Sequence, residues 1–118
     1  GTYPFSGSGR ARCMGEIEGF VKIITHAGSD RILGVHIIGP RASDMIGEGV
    51  LALECNLTSQ EFARAVRAHP TFSEAFQEAA LAVRQCSIYA SGGGEGRFVH
   101  EVTPRVAKRH ELMISDRL

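Results

Sequence analysis

The residues best equipped for chemistry lie together in Ala68-His69-Pro70-Thr71-Phe72-Ser73-Glu74-Ala75. Histidine is the side chain whose unperturbed pKa, ~6.5, lets it take and return protons near neutrality. A carboxylate five residues on, in the first turn of a following helix, can sit on the second ring nitrogen, fix the tautomer and stabilise the imidazolium. His69 and Glu74 would then form an acid–base unit at a helix junction, with Pro70 fixing the turn. The same residues also carry a plainer reading. Thr71 with Glu74 has capping-box spacing, which would make Glu74 a helix cap and His69 an ordinary pre-proline turn residue. On spacing alone the plainer reading is favoured, because a single His-x4-Glu is a weak signal.

Other chemistry is sparse. Cys13, Cys55 and Cys86 are odd in number and far apart, which suits free thiols in a reducing compartment better than a disulfide framework. No pair has the short spacing of a redox-active dithiol and no Cys/His cluster has zinc spacing, so no metal is expected. Gly7-Ser8-Gly9 runs into Arg10-Ala11-Arg12, lacks the third glycine of a dinucleotide fingerprint and precedes no helix pattern. It reads as loop. His36 reads as a packed or edge histidine on a strand, while His26, His100 and His110 have no partner at useful spacing. Thirteen basic side chains balance thirteen acidic ones, leaving no field to recruit nucleic acid or an anionic membrane. The apolar runs fall far short of the ~20 residues of a membrane span. Gly-Thr-Tyr-Pro-Phe shows no signal peptide and no initiator Met, which suits a fragment.

The elements that must position His69 follow from periodicity. At 118 residues the chain has room for one domain. Phe20 to Thr25 and Arg31 to Ile38 are apolar, β-branched runs joined by Ala27-Gly28-Ser29-Asp30, so they read as an antiparallel hairpin. Tyr3-Pro4-Phe5 reads as an earlier edge strand, where proline is tolerated. Ala42, Met45, Ile46, Gly49, Val50 and Leu53 then form one helical stripe, core or dimer interface, stopping near Asn56. Thr58 and Glu61 are a capping box opening a helix that carries Phe62, Ala65 and Val66 and ends before Pro70. A third helix carries Phe72, Phe76, Ala79, Ala80 and Val83. The fold class is α+β: a small antiparallel sheet with helices on one face. Residues 1–86 form this domain. Residues 87–118 read as a Gly-rich linker and a tail, with a short strand over Phe98 to Val102 and a solvated basic cluster of Arg105, Lys108 and Arg109.

His69-Pro70-Thr71-x-x-Glu74 resembles the signature of the pyridine nucleotide-disulfide oxidoreductases. Pro4-Phe5-Ser6 with Arg10-Ala11 resembles the family's Pro-Phe-x4-Arg-Ala. Gly19-Phe20-Val21-Lys22-Ile23 and Ile32 through Pro40 resemble its central hairpin, and Met45-Ile46 through Glu54 its interface helix. The resemblance covers residues 3–84 without a gap, in the family's order. Within the family, the wording around His69 is most similar to the dihydrolipoamide dehydrogenase branch.

The resemblance implies the C-terminal dimerisation domain of an FAD-dependent enzyme, N-terminally incomplete because the usual first strand and helix are absent. It implies a homodimer in which His69 is the acid/base for dihydrolipoyl thiols and Glu74 orients it. His69 and Pro70, across a cis bond, would lie against the partner subunit's flavin. FAD and NAD would be the cofactors of the full-length enzyme, and a lipoyl domain of a 2-oxo acid dehydrogenase complex its partner, in the cytoplasm or the mitochondrial matrix. The family's Cys-x4-Cys and Gly-x-Gly-x-x-Gly are missing, so this chain alone is expected to bind no FAD and to be inactive. Two alternatives stand beside this: a stand-alone interaction module that keeps only the dimerisation surface, or the same domain of a glutathione reductase-like enzyme.

Overall fold

The computed structural model describes residues 1–84. The period-two alternation near the start of the chain becomes a three-stranded antiparallel sheet in the order β1-β2-β3, with β1 at Thr2–Pro4, β2 at Phe20–Thr25 and β3 at Ile32–Ile38. Register decides which side chains share a face. Tyr3 lies opposite Val21 and Val21 opposite Ile37, with Ile23 opposite Val35. Tyr3, Val21 and Ile23 are buried, so this face is the core face. Lys22 and His36 oppose each other on the other face, where His36 is exposed. Pro4 sits at the sheet edge, as a residue without an N–H should. Gly19, at φ 96°, leads into β2 so close to the Ile38 carbonyl that a side chain there would collide with backbone.

Among the described residues, helices cover the core face alone. They are α1 at Gly9–Met14, α2 at Ala42–Glu54, α3 at Ser59–Arg64 and α4 at Glu74–Val83. Helix α4 lies over β1 and β2, α2 lies over β3, and α3 packs on α4. Edge-to-face ring pairs lock the layers: Phe5 with Phe72 at 5.9 Å and Phe62 with Phe76 at 5.7 Å between centroids. Truncating fully buried Phe76 to Ala would cost about 3–5 kcal/mol by the usual cavity rule.

Several expectations need correction. The Gly7-Ser8-Gly9 stretch is not loop throughout. A 3₁₀ turn covers Phe5–Gly7, and Ser8 then caps α1, its side chain accepting the Ala11 N–H. Only Ala11 of α1 is buried, so the helix is too short and too polar to show a stripe. The α2 stripe, read as core or dimer interface, holds positions of both exposures. Met45, Gly49 and Ala52 face the core, while Val50 and Leu51 point outward at 51% and 63% exposure. Phe72 precedes α4 and is not part of it, and Ala65 and Val66 are not in α3. Ala65 turns extended and Val66 is exposed, because Arg67 folds back to donate to the Phe62 and Ala65 carbonyls that a longer helix would have used.

The boundaries otherwise follow local chemistry. Asn56, at φ 53°, ends α2 in a Schellman motif, with Leu57 N–H on Ala52 O and Asn56 N–H on Leu53 O, both at 3.0 Å. Thr58 and Glu61 form the full reciprocal capping box at α3. Asp30, in the hairpin turn, accepts the Ser59 hydroxyl at 2.6 Å and the Gln60 N–H at 3.1 Å, so the hairpin fixes where α3 begins. His26, expected to lack a partner, shares its Nδ1 with the Ser29 N–H and hydroxyl inside the same turn. Cys86, His100, His110, the strand over Phe98 to Val102 and the basic cluster lie outside the described residues.

Candidate active site

The nine residues between α3 and α4 carry the site. The chain leaves α3 at Ala65, passes through a cis His69–Pro70 peptide and enters α4 at Glu74. Helix α4 starts at Glu74, and the N–H groups of Ala75 and Phe76 in its first turn are met by the Phe72 and Ser73 carbonyls. The Glu74 side chain is therefore free to reach back out of the helix. Its Oε2 accepts the Thr71 N–H at 2.8 Å, and its Oε1 lies 2.7 Å from His69 Nδ1. Thr71 closes the turn from the other side, its hydroxyl donating to the Ala68 carbonyl at 2.8 Å. The two readings of this stretch are therefore not exclusive, since one carboxylate makes the Thr71 contact that the capping-box spacing implied, though ahead of the helix start, and also holds the imidazole.

The geometry determines what the ring can do. A carboxylate on Nδ1 selects the Nδ1–H tautomer and leaves Nε2 to exchange protons. The His69 side chain is 70% exposed and that of Glu74 22%, so the ring is presented outward while its carboxylate sits behind it. Ala68 and Pro70 are exposed too, leaving an open face around the ring. Tyr3, Gly7, Ser8, Gly9 and Glu78 complete a small cleft with His69 and Glu74. Among the described residues, no group of three His, Cys, Asp or Glu side chains is placed to hold a metal.

The structure thus brings His69, Pro70 and Glu74 together as the sequence implied. Sequence reasoning overlooked three neighbours. Glu78, buried one turn along α4, is at i+4 from Glu74, a spacing that could have flagged it. Arg67, its side chain nearly fully buried, forms an ion pair with half-buried Glu48 of α2. They stand nineteen positions apart, and no local pattern announces such a pair.

Fold and site together define a class. Residues 1–80 match the family model described as the pyridine nucleotide-disulphide oxidoreductase dimerisation domain, and the chain belongs to that family. Its relatives are more particular. It is 51% identical over 89 residues to a dihydrolipoamide dehydrogenase of Chaetomium thermophilum, covering 75% of this chain and 18% of that protein. It is 50% identical over 82 residues to the mitochondrial dihydrolipoyl dehydrogenase of Schizosaccharomyces pombe, covering 70% of this chain and 16% of that one. Among solved structures, LpdA from Mycobacterium tuberculosis superposes with a TM-score of 0.67 at 27% identity, over 70% of this chain and 18% of its own. The chain therefore spans less than a fifth of the length of these relatives.

Proposed function

We propose that this chain is the dimerisation and acid/base-donating part of a dihydrolipoamide dehydrogenase. The observation that carries the reading is the His69–Glu74 pair, at 2.7 Å on an open face, inside a domain about half identical to such enzymes. His69 Nε2 takes the proton of a dihydrolipoyl thiol. The resulting thiolate attacks one sulfur of a disulfide supplied by the partner subunit, and the other sulfur leaves as thiolate. Glu74 keeps the ring in the required tautomer and stabilises the imidazolium formed.

A flavin of the partner subunit would lie against the exposed edge at Ala68, His69 and Pro70, with His69 and Pro70 bordering it. When bound, FAD carries the electrons from the dithiol towards NAD. A homodimer through this domain, a lipoyl-bearing protein as substrate, and the cytoplasm or mitochondrial matrix as location belong to the same reading. No helix among the described residues is long and apolar enough to cross a membrane. The chain alone is proposed to be inactive and to bind no flavin.

The experiment is a chimera in which residues 1–84 replace the matching segment of the Schizosaccharomyces pombe enzyme. It should fold as a flavin-loaded dimer and reduce NAD with dihydrolipoamide. His69→Gln should slow it by ~10²–10⁴-fold, the usual weight of a general acid–base group. Near-normal turnover in that variant would refute the role of His69. A chimera that dimerises but never turns over would favour an interaction module.

A further inference from the structure

We propose that Arg67, through Glu48, is the positioning residue for His69: it anchors the exposed loop to α2 and so sets where the imidazole stands. The inference rests on the acid–base role just given to His69 and adds a residue to it.

The loop needs an anchor. Of residues 65–70, Ala65, Val66, Ala68, His69 and Pro70 are all exposed, so the hydrophobic effect does almost nothing to hold them. Arg67 is the exception, with its side chain 6% exposed. Its Nη2 donates to Glu48 Oε1 on α2, and its Nη1 donates to the Phe62 and Ala65 carbonyls at 3.1 and 2.9 Å. The guanidinium carbon lies 4.7 Å from the centroid of the Phe62 ring. A planar fork with several fixed donors defines position in a way that an apolar side chain cannot.

Distance then makes the anchor matter for His69. Two residues of chain span at most about 7 Å, so fixing Arg67 confines His69 from upstream. Downstream, the Thr71 and Glu74 bonds confine it from the other side. The ring is held between two clamps, one to α2 and one to α4.

The pair also has a feature that stability alone does not account for. Arg67 Nε is buried and has no hydrogen-bond partner among the described residues. Burying a guanidinium with a donor unmatched is unfavourable, and apolar residues of similar volume commonly replace such pairs at no loss of stability. Directional attachment of the loop explains why an ion pair stands here. Helix α2 also carries outward-facing Val50 and Leu51, so His69 is referenced to the same helix that presents an apolar face.

The test uses the purified 118-residue chain and the ¹⁵N shifts of the His69 ring, which report the tautomer without any turnover. With the imidazole neutral, the unaltered chain should be predominantly Nδ1–H. In the double variant Arg67→Met/Glu48→Met no unpaired charge is left buried, and circular dichroism and melting temperature should be retained. The Nδ1–H to Nε2–H ratio should nevertheless fall severalfold, and Arg67→Lys should lie between the two. An unchanged ratio in the folded double variant would overturn the proposal, as would loss of the fold, which would make the pair a core contact instead of a local clamp. An unaltered chain without a Nδ1–H preference would take down the His69–Glu74 unit itself, a separate failure from that of Arg67.

Discussion

Glu74 reaches His69 across a cis proline turn, with Oε1 2.7 Å from Nδ1, and its second oxygen is pinned by the Thr71 N–H at 2.8 Å. The carboxylate is thus oriented before the imidazole uses it. Glu74→Gln keeps the size and one acceptor oxygen but removes the charge. In the chimeric flavoenzyme it should lower kcat by at least roughly 10–100-fold, the scale for losing the carboxylate that orients a metal-bound histidine. His69→Gln should do more harm. Steady-state rates of the two variants decide the matter, and a Glu74→Gln enzyme within twofold of the parent would show that His69 needs no orienting group.

The sequence revealed most where interactions are local. Thr58 and Glu61 lie three apart, and their box formed as the spacing implied. The hairpin and the Asn56 stop were readable for the same reason, since turn chemistry acts over a few residues. Helix α1 was missed because one buried residue, Ala11, makes no period. Val50 was assigned to the Met45 stripe because a helical wheel shows apolar positions without saying which of them meet β3. Gly49 made that choice, bringing α2 down on Val35 and turning Val50 and Leu51 outward. At the site, His69 and Glu74 were legible through their motif. Arg67 and Glu48 were not, because only tertiary packing brings them together.

Glu61 gives a pH dependence whose sign can be worked out. The Thr58 N–H and hydroxyl, hydrogen-bonded to its carboxylate, hold its pKa below the ordinary value. A depressed folded pKa means that the folded state binds fewer protons, so the contribution to stability is present above the ordinary carboxylate range. It is lost as pH falls through the lower folded value. Glu61→Gln should therefore melt below the parent at neutral pH, and the two melting curves should converge in acid. Melting temperatures recorded from neutral pH down to about pH 3 test this, the lower limit lying below the ordinary carboxylate range. A gap that stays constant with pH would mean that the cap acts without its charge.

Two glycines of α2 should respond oppositely to the same substitution. Alanine normally stabilises a helix interior by about 0.5–1 kcal/mol relative to glycine. At Gly47 an added Cβ meets nothing within 4 Å, so Gly47→Ala should realise that gain. At Gly49 the Cβ would stand 3.0 Å from both Cβ and Cγ1 of Val35, forcing α2 away from β3. Overpacking of this kind costs about 1–3 kcal/mol, which exceeds the propensity gain, so Gly49→Ala should be net destabilising. Urea unfolding of both variants measures the difference. If both are stabilised, α2 and β3 are not packed as closely as this geometry requires.

The outward face of α2 makes the last prediction. Val50 and Leu51 are 51% and 63% exposed on a helix whose other side is committed to the core. Such residues contribute little to the monomer, since surface substitutions usually change stability by no more than about 0.5 kcal/mol. In a dimer formed through α2 they become buried, and a charge placed among them would be desolvated without a partner. Leu51→Glu should therefore shift the chain from dimer to monomer in sedimentation velocity while its circular dichroism stays unchanged. Met14→Gln, on α1 at 44% exposure, serves as the control and should leave association as it was. If Leu51→Glu remains dimeric, the association surface lies elsewhere, and the outward turn of α2 forced by Gly49 would need another explanation.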